Sequence, residues 1–402
     1  MLDPLYAICI AVSDGENTLL LYHLDLTGFP DENVAVCKDA IEKTYGIPKQ
    51  NVLFNSTHNH SAPHLLSPLE SIKVYTKELH EKLIGLAAPA LADLEESTIM
   101  IGSGKIEGHN YVRRYLLSDG SYGGDNFGDF ENNTILAHET EADNTMQAVR
   151  FVRKTKKDIV MVNWQGHPHL AGGTKSMTSD LVEHFRNTVE AEHDVHMAFY
   201  QGCGGNLNSH SRIPGENRDR DHVKAGRELA AGLTPILAGM RPVKCGSIKT
   251  SITTFTGPVN HSLDHKLDIA LKVLDMWEEK GVREANVFAR ANGFNSVYHA
   301  NAVKRRYNMP ETHSYQIGAV SFGDVCIAWA PNELYDTTGM FLKASSPFEM
   351  TFVCGYTNGS NGYMPTIKAY AHGGYGCDTC RFPAGVTEKL TMELLGQMVN
   401  VK

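Results

Sequence analysis

At 402 residues the chain is long enough for one large domain or two ordinary ones, with a substantial buried core. An apolar share of 42% and a charged share of 21% suit a soluble globular protein. A formal net charge of -9, with no long Lys/Arg block, excludes a general nucleic-acid binder, because phosphate contacts need a basic surface.

The opening residues lack the basic region and small-residue cleavage site of a secretory leader. The apolar runs are too short and interrupted to span a bilayer, so no integral membrane segment is expected. The expected location is cytoplasmic, unless the true start lies upstream. In chain order, strands are predicted at "YAICIAV", "TLLLYHLDL" and "NVLFNST", then at "MQAVRFV", "DIVMVNW", "HMAFYQG", "DVCIAWA" and "EMTFVCG". Each is rich in Val, Ile, Leu or aromatics and ends at Gly, Asn, Asp or Pro. Helices are predicted over 32–45, 69–93, 181–192, 221–239 and 263–281. The third opens at "TSDLVE", where Asp180 takes the capping position and Glu183 has capping-box spacing. The Gly-, Asp- and Asn-rich stretch 119–133 reads as a long loop. The alternation gives an α/β class with a sizeable sheet. With no repeat or low-complexity linker, a single domain over 1–402 is the simplest expectation.

Eight cysteines in a chain this long make no disulfide framework, and Cys9, Cys326 and Cys354 sit inside apolar runs. "CDTC" at 377–380 is a lone C-x-x-C without a second pair, so buried reduced thiols are expected there.

The chemistry concentrates where strands end. "NVLFNSTHNHSAPH" places His58 and His60 just past a strand, with His64 following. Open α/β sheets bind ligands at such carboxyl ends, and in extended backbone i and i+2 face the same side. Two imidazoles on one face suit a borderline-soft divalent ion. A second strand, "IVMVNWQGHPHLAGG", runs into His167 and His169. A third, "DVCIAWAPNELYDTTG", halts at Pro331, and Glu333 reads as opening a helix, where a carboxylate also complements the macrodipole. A fourth, "FVCGYTNGSNGYMPT", carries Tyr356 and Tyr363, residues that in such loops serve packing or exposed hydrogen bonding.

Taken in order, these segments resemble the neutral/alkaline ceramidase family, zinc amidohydrolases that cleave an N-acyl amide in a sphingolipid. "STHNHSAP" resembles that family's T-H-T-H-S-G-P signature, and "NWQGHP" its strand ending in a metal-binding His-Pro. "APNELYDTTG" is similar to its P-G-E-F-T-x-x-x-G segment, and "NGSNGYMPTIKAYAHGGYG" to its N-x-Y-x-x-Y-I-T-T-x-x-E-Y stretch. The resemblance implies a mixed β-sheet core flanked by helices and one Zn2+ per chain, held by His58, His167, Glu333 and Tyr363. It makes His60 an active-site base or hydrogen-bonding partner and Tyr375 a stabiliser of the transition state. Through "NYVRRY" it places an arginine in the site, matched to Arg113, with Arg114 its immediate neighbour. "YQGCGGNLNS" corresponds to its substrate loop, which implies contacts from Gln201, Gly205 and Asn206. The implied substrate is a small-molecule or lipid-like N-acyl amide.

The chain also departs from the pattern. Gly205 stands at the family's serine position, so it would bind a head group through backbone only. Ser360 replaces a phenol, and "HSAPH" makes a bulkier rim. The family's first strand and Gly-rich loop would precede Asp3, and its C-terminal immunoglobulin-like domain has no counterpart. These differences favour a trimmed relative acting on a shorter acyl chain or a non-sphingoid amine. Two other classes compete: a TIM-barrel amidohydrolase, which also uses H-x-H at a strand end, and a metal- or sugar-binding α/β protein without catalysis.

Overall fold

A computed structural model describes residues 2–172 and 176–402. Three open sheets pack their inner faces on a common core, and helices cover the outer faces. The first has the order Ala7–Ser13, Thr18–Leu24, Val52–Ser56, with the last two parallel. The second runs Val195–Gln201, Asp158–Trp164, Thr145–Arg153, Ser97–Lys105, Arg241–Pro242, with only its first pair parallel. The third runs Ile248–Pro258, Thr312–Phe322, Val325–Trp329, Met350–Cys354, again with one parallel pair, at its end. This mixed α/β architecture is the expected class. Among the described residues no sheet closes into an eight-stranded barrel, which removes the TIM-barrel alternative.

The strands read as unbroken apolar runs because both faces are covered. Leu19, Leu21, Leu53, Val149, Met161, Ile327 and Phe352 meet in the inter-sheet core. On the outer side Leu20, Tyr22, Val52 and Phe54 pack under the helices Asp31–Tyr45 and Glu70–Gly85. Val160, Val162 and Phe199 pack under the Leu181–His193 and His222–Ala238 helices. Full burial of each such side chain contributes about 1.5–3 kcal/mol. Among the described residues no helix is long and apolar enough to cross a membrane.

Several expectations change. The 69–93 helix is two, Glu70–Gly85 and Ala87–Ala92, because Pro89 cannot bond back to the Gly85 carbonyl and its ring collides there. Asp180 does cap its helix, accepting from Leu181 N at 2.8 Å, but Glu183 turns to Asn187 instead of closing a capping box. The 119–133 loop contains a short strand, Tyr122–Gly124. Glu333 does not open a helix. It lies in the two-residue strand Glu333–Leu334, and the helix starts at Asp336. All eight cysteines are free, and burial pushes the Cys377 thiol up to about 12, so the C-x-x-C is an inert buried pair.

Candidate active site

Five strands end at one place. Val52–Ser56 leads to His58 and His60, Asp158–Trp164 to His167, and Val195–Gln201 to Gly205. Val325–Trp329 leads to Glu333, and Met350–Cys354 to Tyr356 and Tyr363. Asn55 clamps three of these ends. Its amide donates to Gly355 O at 2.9 Å and Thr357 Oγ1 at 2.8 Å, while its oxygen accepts from Gln201 N at 2.8 Å.

The histidines converge through a turn, not through extended backbone. His58 has φ 61, a left-handed conformation that side chains adopt at a cost, and this folds His60 back beside it. His58 Nδ1 lies 2.7 Å from Thr27 O and His167 Nδ1 lies 3.1 Å from Gly204 O. A carbonyl can only accept, so both rings carry their proton on Nδ1 and present a bare Nε2. Those two nitrogens meet His60 Nε2 at 3.1 and 2.8 Å, and the ligand atoms of all three rings lie within 4.8 Å of one another. One proton on His60 Nε2 cannot satisfy two facing lone pairs. Among the described residues no backbone acceptor fixes the His60 ring, and its residue surface stays open to solvent. Burial of the ring first, then His58, His169 and Arg113, pull its pKa down to about 2, so it is neutral at neutral pH.

Glu333 completes the cluster. Its Oε2 is 3.4 Å from His58 Nε2, yet this buried oxygen makes no hydrogen bond. Burial would raise its carboxyl, but His58, Tyr363 and Arg113 outweigh that and hold it below the usual carboxylate range. Tyr363 is the register partner of Glu333 across a parallel pair, so both side chains stand on one face. Two backbone-oriented imidazoles with bare nitrogens, beside an unpaired carboxylate oxygen, fit a divalent cation.

Arg113 Nη2 donates to Tyr363 Oη at 3.0 Å and Gly205 O at 2.8 Å, and Nη1 faces Asp125 Oδ2 at 3.6 Å. Its neighbour Arg114 points elsewhere, pairing with Glu139 at 2.5 Å and donating to the carbonyls of Gly373 and Ala369. The two arginines thus divide: Arg113 enters the site, and Arg114 holds the segment that leads to Tyr375. The Tyr375 ring packs against Tyr363, centroids 5.6 Å apart, and lines a narrow cleft with Arg113, Asp125 and Gly205.

The expected substrate loop is built differently. Gln201 is fully buried, and its amide lies under Gly204 rather than on the cleft wall. Asn206 lines the cleft, but its side chain is spent on Asp336, donating to Oδ1 at 2.7 Å and accepting from the backbone N at 2.8 Å. Gly205 uses both backbone groups internally, donating to Leu334 O at 2.9 Å and accepting from Arg113. Asn206 and Gly205 thus have their polar groups paired within the protein, whereas both amide atoms of the buried Gln201 make no hydrogen bond among the described residues. Two residues outside the expected set belong here. Tyr356 stacks on His58 at 4.1 Å, and Asp125 anchors Arg113, Arg212 and Asn208. A carboxylate within a long Gly-rich loop was the available signal for Asp125. A separate groove lies elsewhere, beside the Ala7–Ser13 strand, and no histidine lines it.

No protein-family model matches the chain, and no curated protein sequence matches it. Solved structures do share its fold. Neutral ceramidase from Pseudomonas aeruginosa superposes with a TM-score of 0.70 at 16% identity, covering 97% of this chain and 68% of that one. A second structure, described as ceramidase complexed with C2, gives 0.68 at 15% identity, covering 97% and 69%. The chain therefore has the neutral ceramidase fold over nearly its whole length.

Proposed function

We propose that the chain is a zinc-dependent hydrolase that cleaves a linear carboxamide, an N-acyl amide, as a single catalytic unit. The observation that supports this most directly is the pair of bare Nε2 atoms on His58 and His167 beside the unpaired Glu333 oxygen. His58, His167, Glu333 and Tyr363 would hold one ion. Bound there, zinc supplies Lewis acidity, polarising a carbonyl and bringing the pKa of a water to about 7.

The remaining work falls to the chain's own groups. His60, neutral and open on its outer side, accepts a hydrogen bond from the attacking water and relays its proton towards the leaving amine without resting as an imidazolium. The Tyr375 hydroxyl donates to the oxygen that gains charge as the carbonyl becomes tetrahedral. Arg113, held by Asp125, orients the Tyr363 phenol and keeps positive charge beside it. No covalent nucleophile is required. The bulkier rim at Ala62 and His64 favours a short acyl chain or a compact amine over a long sphingolipid.

Two variants separate the roles. His167→Ala should hold one zinc fewer than wild type and lose activity with it, measured by metal mass spectrometry and amine release. His60→Ala should keep zinc but lose about 10²–10⁴-fold in rate. Loss of zinc in His60→Ala with zinc retained in His167→Ala would overturn the assignment.

A further inference from the structure

Away from the strand ends, three side chains from distant parts of the sequence meet at the surface of the second sheet's helix layer. Asp3 belongs to the amino-terminal arm, His184 to the Leu181–His193 helix and His222 to the first position of the His222–Ala238 helix. His184 Nε2 lies 3.6 Å from Asp3 Oδ1, and His222 Nε2 lies 3.6 Å from Asp3 Oδ2. All three ligand atoms fall within 4.8 Å of one another. Their side chains are 17–20% exposed, open enough for an ion to enter and covered enough to hold it.

The fold imposes this meeting. The two helices touch at Gly226, where an added Cβ would stand 2.5 Å from Leu181 O and 2.7 Å from His184 Cβ. His222 is one turn before Gly226 and so lies on the same face, over His184. Asp3 is locked in place by the Thr178 hydroxyl, which donates to Oδ2, and by Leu2 N donating to Met177 O at 2.8 Å. At 3.6 Å from Asp3 Oδ1, the buried His184 Nε2 makes no hydrogen bond among the described residues, so the pairing leaves that nitrogen unsatisfied. Nearby, Glu183 is buried with one carboxylate oxygen also unpaired.

We infer that Asp3, His184 and His222 form a second metal site, for zinc or a similar borderline divalent ion, that ties the amino-terminal arm to the helix pair. Each imidazole stands 3.6 Å from a different oxygen of the Asp3 carboxylate, a spacing that an ion with bonds of about 2.0–2.2 Å could bridge through one or both oxygens. Two imidazoles and one carboxylate are a donor set such an ion accepts, with the fourth position left to water. The ion also braces the first site. Thr178, which holds Asp3, accepts from Asn59 Nδ2 at 2.6 Å and donates its amide to Ser61 O at 3.3 Å, on the His58–His60 turn.

The test is a zinc count on the full chain, loaded with zinc, desalted and measured by metal mass spectrometry. His222→Ala should hold one zinc fewer than wild type, and Asp3→Asn should behave likewise. The difference is read against wild type, so it is independent of whether the 58/60/167 cluster binds metal. Hydrogen exchange gives a second readout: zinc should slow exchange of the amides of residues 2–6 in wild type but not in His222→Gln. An unchanged zinc count in both His222→Ala and Asp3→Asn, or zinc-dependent protection persisting in His222→Gln, would overturn the inference.

Discussion

Gly205→Ala probes how tightly the loop and the Glu333 segment are fitted. An alanine Cβ would stand 2.5 Å from Glu333 O, 2.9 Å from Glu333 C and 3.0 Å from Leu334 O. All three are backbone atoms, so no side chain can swing aside, and the Gly205 N to Leu334 O bond at 2.9 Å holds the segments together. Restoring ordinary contact requires the Glu333–Leu334 strand to retreat by roughly 1 Å, a displacement that costs about 10²-fold in rate when it misplaces a reacting group. Overpacking of this kind also destabilises by about 1–3 kcal/mol. The assay is a urea midpoint paired with zinc affinity by chelator competition, with affinity expected to fall about 10–100-fold. Gly85→Ala is the control, because its added Cβ meets nothing within 4 Å and it ends a helix. It should be neutral or stabilising by up to about 1 kcal/mol. A Gly205→Ala protein with wild-type midpoint and wild-type zinc affinity would refute the reasoning.

Other expectations follow from single side chains. Lys38 is buried over the Trp329 ring without a carboxylate partner among the described residues, and burial lowers its ammonium from 10.5 to about 7. The unfolded chain therefore binds the extra proton between about pH 7 and 10.5, and the penalty is full below that window and absent above it. Lys38→Met should stabilise by at most about 4 kcal/mol at pH 7, with the gain shrinking towards pH 10 in urea titrations. Tyr375→Phe should lower turnover with bound zinc unchanged; an unaffected rate would remove Tyr375 from the chemistry. Arg114→Met removes one of Glu139's two partners, leaving His372, and strands two carbonyls, so it should destabilise by about 3 kcal/mol in urea, whereas Arg113→Met should act chiefly on rate.

Much of the fold was legible because its strands are covered on both faces and appear as plain apolar runs. The Ile248–Pro258 strand escapes that reading. Its Ile248, Ile252 and Phe255 recur with a helix-like spacing, and Thr and Ser fill its half-exposed face. Helices Val282–Ala291 and Val297–Tyr307 escape it too, because Ala, Asn and Arg dilute their apolar stripes. At the site, the histidines stood out because strand-end clusters of imidazole have few structural uses. Asn206 shows the limit: position after a strand does not tell a side chain that is free in the cleft from one that ties the loop to Asp336. Arg113 and Arg114, adjacent and chemically identical, are separated only by where their partners lie. The Glu333 helix expectation failed because a two-residue parallel pair with Tyr363–Met364 depends on a contact thirty positions away in sequence.

The measurement that bears most directly on the central claim is amine release from a panel of N-acyl amides, graded in acyl length, before chelation, after chelation and after zinc is restored. The account expects release from at least one short-chain member, loss on chelation and recovery with zinc. Release that is indifferent to chelation, or no release from any member by zinc-loaded wild type, would contradict it.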